Sequence, residues 1–213
     1  MSRRAALEAP EVSDGRPSAR GDATRAAILD AAEELFAQRG FSGTSMRALA
    51  EAADTSQPLL HHHFGTKRGL YSAVKDRFTE RYRGFTPPDP GGALGMDYVR
   101  LALLGYLRFL ESNPRLSRLM AWSRLESDEQ PWGQADEVWR RMETVVRAAR
   151  DGGMLKASLD PGLFMVHAAG IVQYWVDNRA AVCRALGYDP EDPDLDARYI
   201  AHCVDVLLTG GGA

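Results

Sequence analysis

Three histidines stand side by side at His61, His62 and His63, inside the stretch SQPLLHHHFGTKRGLY that runs from Ser56 to Tyr71. Imidazole ligates metals and moves protons near neutral pH, so this triplet is the first place to look for chemistry. Neighbours on an α-helix are about 100° apart, and three consecutive rings therefore fan around the cylinder instead of meeting at one point. A helical metal pair needs the spacing i, i+4, and no Asp, Glu or Cys flanks the triplet closely enough to complete a chelate. A metal-dependent enzyme using the histidine cluster stays as one alternative, and a partly solvated helix end as another.

The elements around the triplet favour a third use. Pro58 is tolerated only in a first helical turn and Ser56 can accept an N–H there, so a helix begins near Gln57 and ends near Gly65. Upstream, Ile28, Ala31, Ala32, Leu35 and Phe36 recur at helical spacing, with Asp22 as N-cap and Gly40 just past the end. A short second helix, MRALAEAAD, follows with Thr44 or Ser45 as its cap and with Leu49 and Ala50 facing inward. Only about four residues separate the second helix from the third, the spacing of a helix-turn-helix. Ser56, Gln57, His61, His62 and His63 then present polar groups suited to phosphates or base edges, with Lys67 and Arg68 next in the chain. Leu60 and Phe64, four apart, anchor this helix to Leu35, Phe36 and Leu49. Leu70, Tyr71, Val74 and Phe78 form an apolar stripe on a fourth helix.

The run ATRAAILDAAEELFAQRGFSGTSMRALAEAADTSQPLLHHHFGTKRGLYSAV resembles the DNA-binding domain of the TetR family of bacterial transcriptional regulators. The resemblance rests on a first helix ending in F-A-x-x-G-[FY], a short helix with R-x-[IL]-A-x-x-A, and then x-S-x-x-x-[LI]-[YF]-x-[HY]-F-x-[ST]-K-x-x-L. It implies that Arg47 reaches a base or phosphate and that Ser45 joins the DNA surface. Gln57, Pro58 and Leu59 fall where the family reads base edges, and His61 and His63 where it binds phosphate, with His62 pointing at the groove. Lys67 matches the family lysine that pins the fourth helix to the DNA backbone. Two departures stand out. His61 replaces the usual phenol, which makes the pH dependence of that contact an open question, and Asp54 replaces a turn glycine while still able to turn left-handed.

Composition sets the bounds on these readings. The chain of 213 residues is 45% hydrophobic and 26% charged, enough for a sizeable core in one or two domains. Its net charge is −3, but residues 1–85 carry 13 Lys+Arg against 11 Asp+Glu, so the basic surplus sits with the histidines. No run of about 18 apolar residues could cross a bilayer, and Met1 to Gly21 lacks the apolar centre of a secretory signal, which points to the cytoplasm. Cys183 and Cys203 form no CxxC pattern and read as buried free thiols.

Pro/Gly punctuation at Gly84–Gly95 marks a boundary, and only helices follow, about Met96–Ser112, Pro114–Ser127, Gln134–Asp151, Pro161–Leu186 and Asp194–Thr209. Asn113-Pro114 and Asp160-Pro161 read as caps, and Gly152, Gly187 and Gly210 as stops. The fold class is all-α: an N-terminal three-helix helix-turn-helix DNA-binding domain, then a C-terminal helical ligand-binding and dimerisation domain. The expected division is a disordered tail over 1–21, the DNA-binding domain over 22–68, a connecting helix over 69–84 and the ligand-binding and dimerisation domain over 85–213. No phosphate loop or nucleophile elbow appears, so the chain does not read as an enzyme, and no cofactor or metal is implied.

Aromatic and methionine side chains gather in the middle helices. Tyr106, Phe109, Met120, Trp122, Trp132, Trp139, Met142 and Tyr174 are expected to line an apolar cavity. Arg118, Arg124, His167 and Gln173 are its candidate polar handles. The helix from Pro161 is apolar around much of its circumference, more than one core stripe needs. By resemblance, it and the last helix form a two-fold dimer through Phe164, Ile171, Trp175, Tyr199, Cys203 and Val206. The whole reads as a ligand-responsive regulator, a repressor in the first instance. A homodimer would bind a palindromic double-stranded DNA operator and be released by a small apolar or aromatic effector, with no membrane partner. A helical small-molecule-binding protein without DNA function is the other alternative.

Overall fold

The computed structural model describes residues 19–86, 96–130, 132 and 135–209. Within them are nine α-helices and no strand: α1 (Ala19–Arg39), α2 (Met46–Ala52), α3 (Gln57–Phe64), α4 (Lys67–Arg83), α5 (Met96–Ser112), α6 (Pro114–Leu125), α7 (Ala135–Asp151), α8 (Pro161–Leu186) and α9 (Leu195–Thr209). Of the disordered tail expected over residues 1–21, residues 1–18 lie outside the described residues and 19–21 are instead the first residues of α1; most of the Gly84–Gly95 boundary and the stop at Gly210 also lie outside the described residues. No described helix is long and apolar enough to cross a membrane.

Local chemistry sets most of these ends. Because α1 starts at Ala19, Asp22 is not its N-cap but an acid in its first turn, where it complements the positive end of the helix dipole. Gly40 ends α1 with φ +71, its N–H donating to the Phe36 carbonyl at 3.0 Å. Ser45 caps α2 by accepting the Ala48 N–H at 3.1 Å, whereas the Thr44 hydroxyl is buried and donates to the Gly40 carbonyl at 2.8 Å. Ser56 caps α3 through the Leu59 N–H, with Pro58 in the first turn. Asp54 takes φ 46 in the turn between α2 and α3. Farther on, Asp160 caps α8 and Gly187 ends it left-handed. One reading needs correction there: Asn113 precedes α6 but its side chain makes no cap, its amide N–H₂ donating to the Phe109 carbonyl. Gly152 directly follows the last residue of α7 as expected, and the left-handed turn comes one residue later, at Gly153.

α1 to α4 pack around Ile28, Leu35, Phe36, Leu49, Leu60, Leu70, Tyr71 and Val74, all buried. Each such side chain contributes roughly 1.5–3 kcal/mol by leaving water. The same cluster continues without a break through Phe78 of α4 into α5, α6 and α8, so α4 belongs to both halves of the molecule.

Polar contacts lock the halves together. From α6, the Arg118 guanidinium and the Trp122 indole N–H both donate to the Ala37 carbonyl near the end of α1, at 2.9 and 3.2 Å. Just past α6, the Glu126 carboxylate accepts the N–H groups of Phe41 and Ser42 at 3.0 and 2.9 Å. Lys75 of α4 is fully buried; its ammonium bonds Asp128 at 2.5 Å and the Gln130 carbonyl at 3.2 Å and lies over the rings of Tyr71 and Trp132. Burial pushes the Asp128 carboxyl up, but the hydrogen bonds from Lys75 and the Gln130 N–H, with the ammonium charge, outweigh it and hold the group below its ordinary value. Cys183 and Cys203 are buried free thiols.

Candidate functional site

The short helix α3 divides sharply by face. Leu60 is 0% exposed and seats the helix, while Gln57, Pro58, Leu59, His61 and His62 all face solvent. Ser45 and Arg47 are exposed on α2, which packs against α3. The Arg47 guanidinium is held by Glu51, one turn on, at 2.8 Å with both side chains largely in water. A pair this exposed contributes little to stability and leaves the guanidinium available to a stronger anion.

The histidines diverge as helical geometry requires. His62 and His63 meet edge-on with ring centres 5.4 Å apart, and His63 is half-buried against Phe64. The His61 Nδ1 bonds the Gly65 carbonyl at the end of α3, which leaves Nε2 as its outward atom. Among the described residues no three His, Cys, Asp or Glu side chains are grouped to hold a metal ion.

Lys67 is placed differently from the expectation that it pins α4 to DNA. Its ammonium turns inward, donating to the carbonyls of Phe41 and Thr44, each at 2.9 Å, and lying 4.2 Å from the centre of the Phe41 ring. The α1–α2 loop turns these two carbonyls away from any helical partner, and the lysine at the first position of α4 satisfies both. Arg68 is the exposed cation beside it, its guanidinium 4.9 Å from the centre of the same Phe41 ring.

A second feature lies in the C-terminal half. A cavity of about 410 Å³ opens among α4, α5, α6, α7 and α8. Tyr106, Phe109, Met120, Trp132, Trp139 and Met142 are on its wall, as their types predict. Trp122 is not, because its indole is committed to Ala37, and Arg118 is drawn off in the same way. Tyr174, His167 and Arg124 are exposed away from the wall, and Gln173 accepts the Tyr106 hydroxyl from behind it at 3.3 Å. The sequence reading missed Phe78, Tyr82 and Tyr98. Phe78 and Tyr82 are four apart on α4, a spacing that could have flagged an aromatic face on the connecting helix. The Tyr82 ring packs 5.0 Å from Phe109 and 5.6 Å from Tyr106. Burial, with the neighbouring phenols of Tyr106 and Tyr98, drives the Tyr82 hydroxyl far above its usual ionisation, and burial followed by the Asp177 charge pushes Tyr106 up to about 12.

The long helix α8 presents its surplus apolar face differently from the expected set. Phe164, Trp175 and Cys203 are buried within the subunit: Phe164 lines the cavity, and Trp175 stacks on Tyr199 at 4.2 Å while its indole N–H donates to Asp196 at 2.7 Å. Ile171 and Tyr199 are half-buried, the Tyr199 hydroxyl donating to the Ile171 carbonyl, and Val206 is exposed. The large apolar side chains that do point outward from α8 are Leu186 at its last position and, along its body, Leu163, Val166 and Tyr174, these three at 61%, 58% and 61% exposure. The spacing of Leu163, Val166 and Tyr174, three and then eight, places them along one stripe.

Comparison with known proteins agrees with this architecture over both halves. The model of the bacterial regulatory proteins of the tetR family matches residues 28–74, and that of the tetracyclin repressor-like C-terminal domain matches residues 105–203. The transcriptional repressor KstR of Mycolicibacterium smegmatis is 30% identical over 161 residues, 74% of this chain and 75% of that protein. The repressor ComR of Escherichia coli is 43% identical over 58 residues, a match that spans 27% of this chain and 28% of ComR. The crystal structure of the transcriptional regulator SCO4942 from Streptomyces coelicolor superposes with a TM-score of 0.67 at 25% identity, covering 86% of this chain and 96% of that one. One family model over the helix-turn-helix head, a second over the all-helical domain that follows, and a relative 30% identical across three-quarters of its length identify the chain as a member of the TetR family of transcriptional regulators.

Proposed function

We propose that this regulator is a repressor that binds a palindromic operator as a homodimer in the cytoplasm and is released by a small apolar or aromatic effector. The observation that carries the DNA reading is the split of α3, where Leu60 is sealed in the core and Gln57, Pro58, Leu59, His61 and His62 stand bare beside Ser45 and Arg47. A second helix laid in a major groove needs such a face: Gln57 to hydrogen-bond base edges, Pro58 and Leu59 to meet a thymine methyl, and His61 to reach phosphate. On this reading residues 22–68 form the DNA-binding domain, 69–84 connect, and 85–213 hold the effector and the dimer contact.

The outward stripe of α8, continued by Ile171, Tyr199 and Val206, supports self-association, because three large apolar side chains more than half exposed lack a partner in one subunit. The cavity supports the effector. It lies against α4, so a molecule that fits better when α4 is displaced lowers DNA affinity by its difference in binding energy between the two positions. Fluorescence anisotropy on a fragment from upstream of the gene tests the core of this reading. Salt-sensitive, sub-micromolar binding that Gln57→Ala and Arg47→Ala both weaken is the expected result, and equal affinity for the fragment and for random DNA rejects it.

A further inference from the structure

The effector cavity carries more chemical information than its apolar character alone. Among the described residues its wall holds one charged side chain, Asp136, which is exposed. The closest buried cation, Lys75, stands behind Trp132 and is already paired with Asp128 and the Gln130 carbonyl. An anionic group brought fully into this space would leave water for a wall that, among the described residues, bears no cation and has a carboxylate at its edge, which is costly. Beside the cavity, a smaller cleft shares Tyr98, Val138 and Met142 with it and adds Arg83, Glu137 and Arg141. Arg83 is paired there with Glu80 at 3.0 Å and approaches Glu137 at 3.8 Å, and Arg141, which makes no ion pair to a described residue, is exposed to water, so the rim is mixed in sign and its one unpaired cation lies outside the apolar wall.

What the wall does offer is phenols. Tyr82, Tyr98 and Tyr106 line one region of it, from α4 and α5. The Tyr106 hydroxyl is used on Gln173. The Tyr82 hydroxyl makes no hydrogen bond to a described residue, although its ring is wedged between Tyr106 and Phe109. Tyr82 is half-buried, and a phenol with no partner among the described residues offers its hydroxyl to a ligand, where a hydrogen bond made away from bulk water contributes to binding. Its surroundings keep it protonated, so it can only act there as a neutral group that donates to, or accepts from, the ligand.

We infer that the cavity selects an uncharged, largely apolar molecule bearing a carbonyl or hydroxyl oxygen, which the Tyr82 hydroxyl recognises, and that it discriminates against carboxylates of the same shape. The inference rests on the effector reading above. A volume of about 410 Å³ at interior packing density has room for roughly 15–20 non-hydrogen atoms. One end of such a molecule meets Tyr82, and the rest fills the space between Phe109, Met120, Trp139 and Met142.

Matched probes separate shape from charge. The full chain is titrated calorimetrically, and by thermal shift, with para-acetylbiphenyl, para-biphenylcarboxylate, para-isopropylbiphenyl and para-biphenylylmethylammonium, and with the pair tridecan-2-one and dodecanoate. In at least one shape the ketone is expected to bind about tenfold or more tighter than its carboxylate. In the aromatic set the ketone should also bind tighter than the hydrocarbon and the ammonium. Tyr82→Phe should weaken the ketone about fivefold and leave the hydrocarbon unchanged, with the thermal midpoint retained. Tyr98→Phe, measured alongside, should move the ketone less than Tyr82→Phe does. A carboxylate or ammonium that binds as well as the ketone overturns the class while leaving an effector cavity, as does a ketone indifferent to Tyr82→Phe. No binding by any of the six probes overturns the effector reading itself.

Discussion

The carboxylate of Glu126 sits 3.0 Å from the backbone N–H of Phe41, 85 residues away in sequence, and so ties the end of α6 to the loop after α1. The neighbouring Ser42 N–H shares the same carboxylate. Glu126→Ala removes the acceptor of both. The outcome should be a loss of about 1–3 kcal/mol, the cost of leaving donors without partners, and a midpoint lower by roughly 2–4 °C per kcal/mol for a chain of this size. Hydrogen exchange at Phe41 and Ser42 is the local check, and protection equal to that of the unaltered protein contradicts the role given to Glu126.

Arg47 and Lys67 should separate cleanly in mutagenesis. Arg47→Ala removes an exposed cation whose contact with Glu51 is in water, so operator affinity should fall while the thermal midpoint stays within error. Lys67→Ala instead takes the ammonium from the Thr44 carbonyl, leaves the Phe41 carbonyl only the Thr44 N–H at 3.3 Å, and removes the nearer cation from the Phe41 ring, so the midpoint itself should drop. A Lys67→Ala protein as stable as its parent, yet poor at binding, would return that lysine to the DNA surface.

The Lys75–Asp128 pair makes acid stability readable. The folded Asp128 carboxyl titrates below its ordinary value near 3.8, so the stabilisation it contributes is fully present above that value and disappears as pH falls through the lower, folded one. Asp128→Asn should cost about 3–5 kcal/mol at neutral pH by leaving the buried ammonium unpaired, and should flatten the acid limb of the stability curve. Combining it with Lys75→Met should restore much of the loss. Urea titrations from pH 3 to 7 report both effects.

His61 stands where the family resemblance has a phenol. With Nδ1 engaged by Gly65, Nε2 is the ring atom left to reach a phosphate. His61→Ala should weaken operator binding severalfold while the thermal midpoint holds, and His61→Tyr should restore most of the loss. Operator affinity unchanged in His61→Ala leaves His61 as a spacer.

The head was legible because its signals are local. Ser56 with Pro58, Gly40 after an amphipathic helix and the lone buried Leu60 of α3 each follow from chemistry within a few residues. Lys67 was misread because its fate depends on two carbonyls exposed by a loop more than twenty residues earlier, which no local pattern reveals. On α8, apolar residues circle the helix, so periodicity could not say that Phe164 and Trp175 turn inward and Leu163, Val166 and Tyr174 outward. The cavity wall was half visible for a related reason. Aromatic types mark packing density, but Trp122 is consumed by Ala37, and Phe78 and Tyr82 lie on a helix whose apolar stripe was already accounted for by the head.

α4 begins at the Lys67 clamp and reaches the cavity with Phe78, Thr79 and Tyr82, all within one unbroken helix of 17 residues. At 1.5 Å per residue it is a rod about 25 Å long. Treated as a lever arm pivoting at the cavity end, it turns a tilt of about 5° into a shift of roughly 2 Å at the head, comparable to the reach of a hydrogen bond. On the proposed reading stiffness is what carries a signal along this segment: a glycine placed midway along α4 should let the two ends move independently, so that operator affinity no longer responds to cavity occupancy.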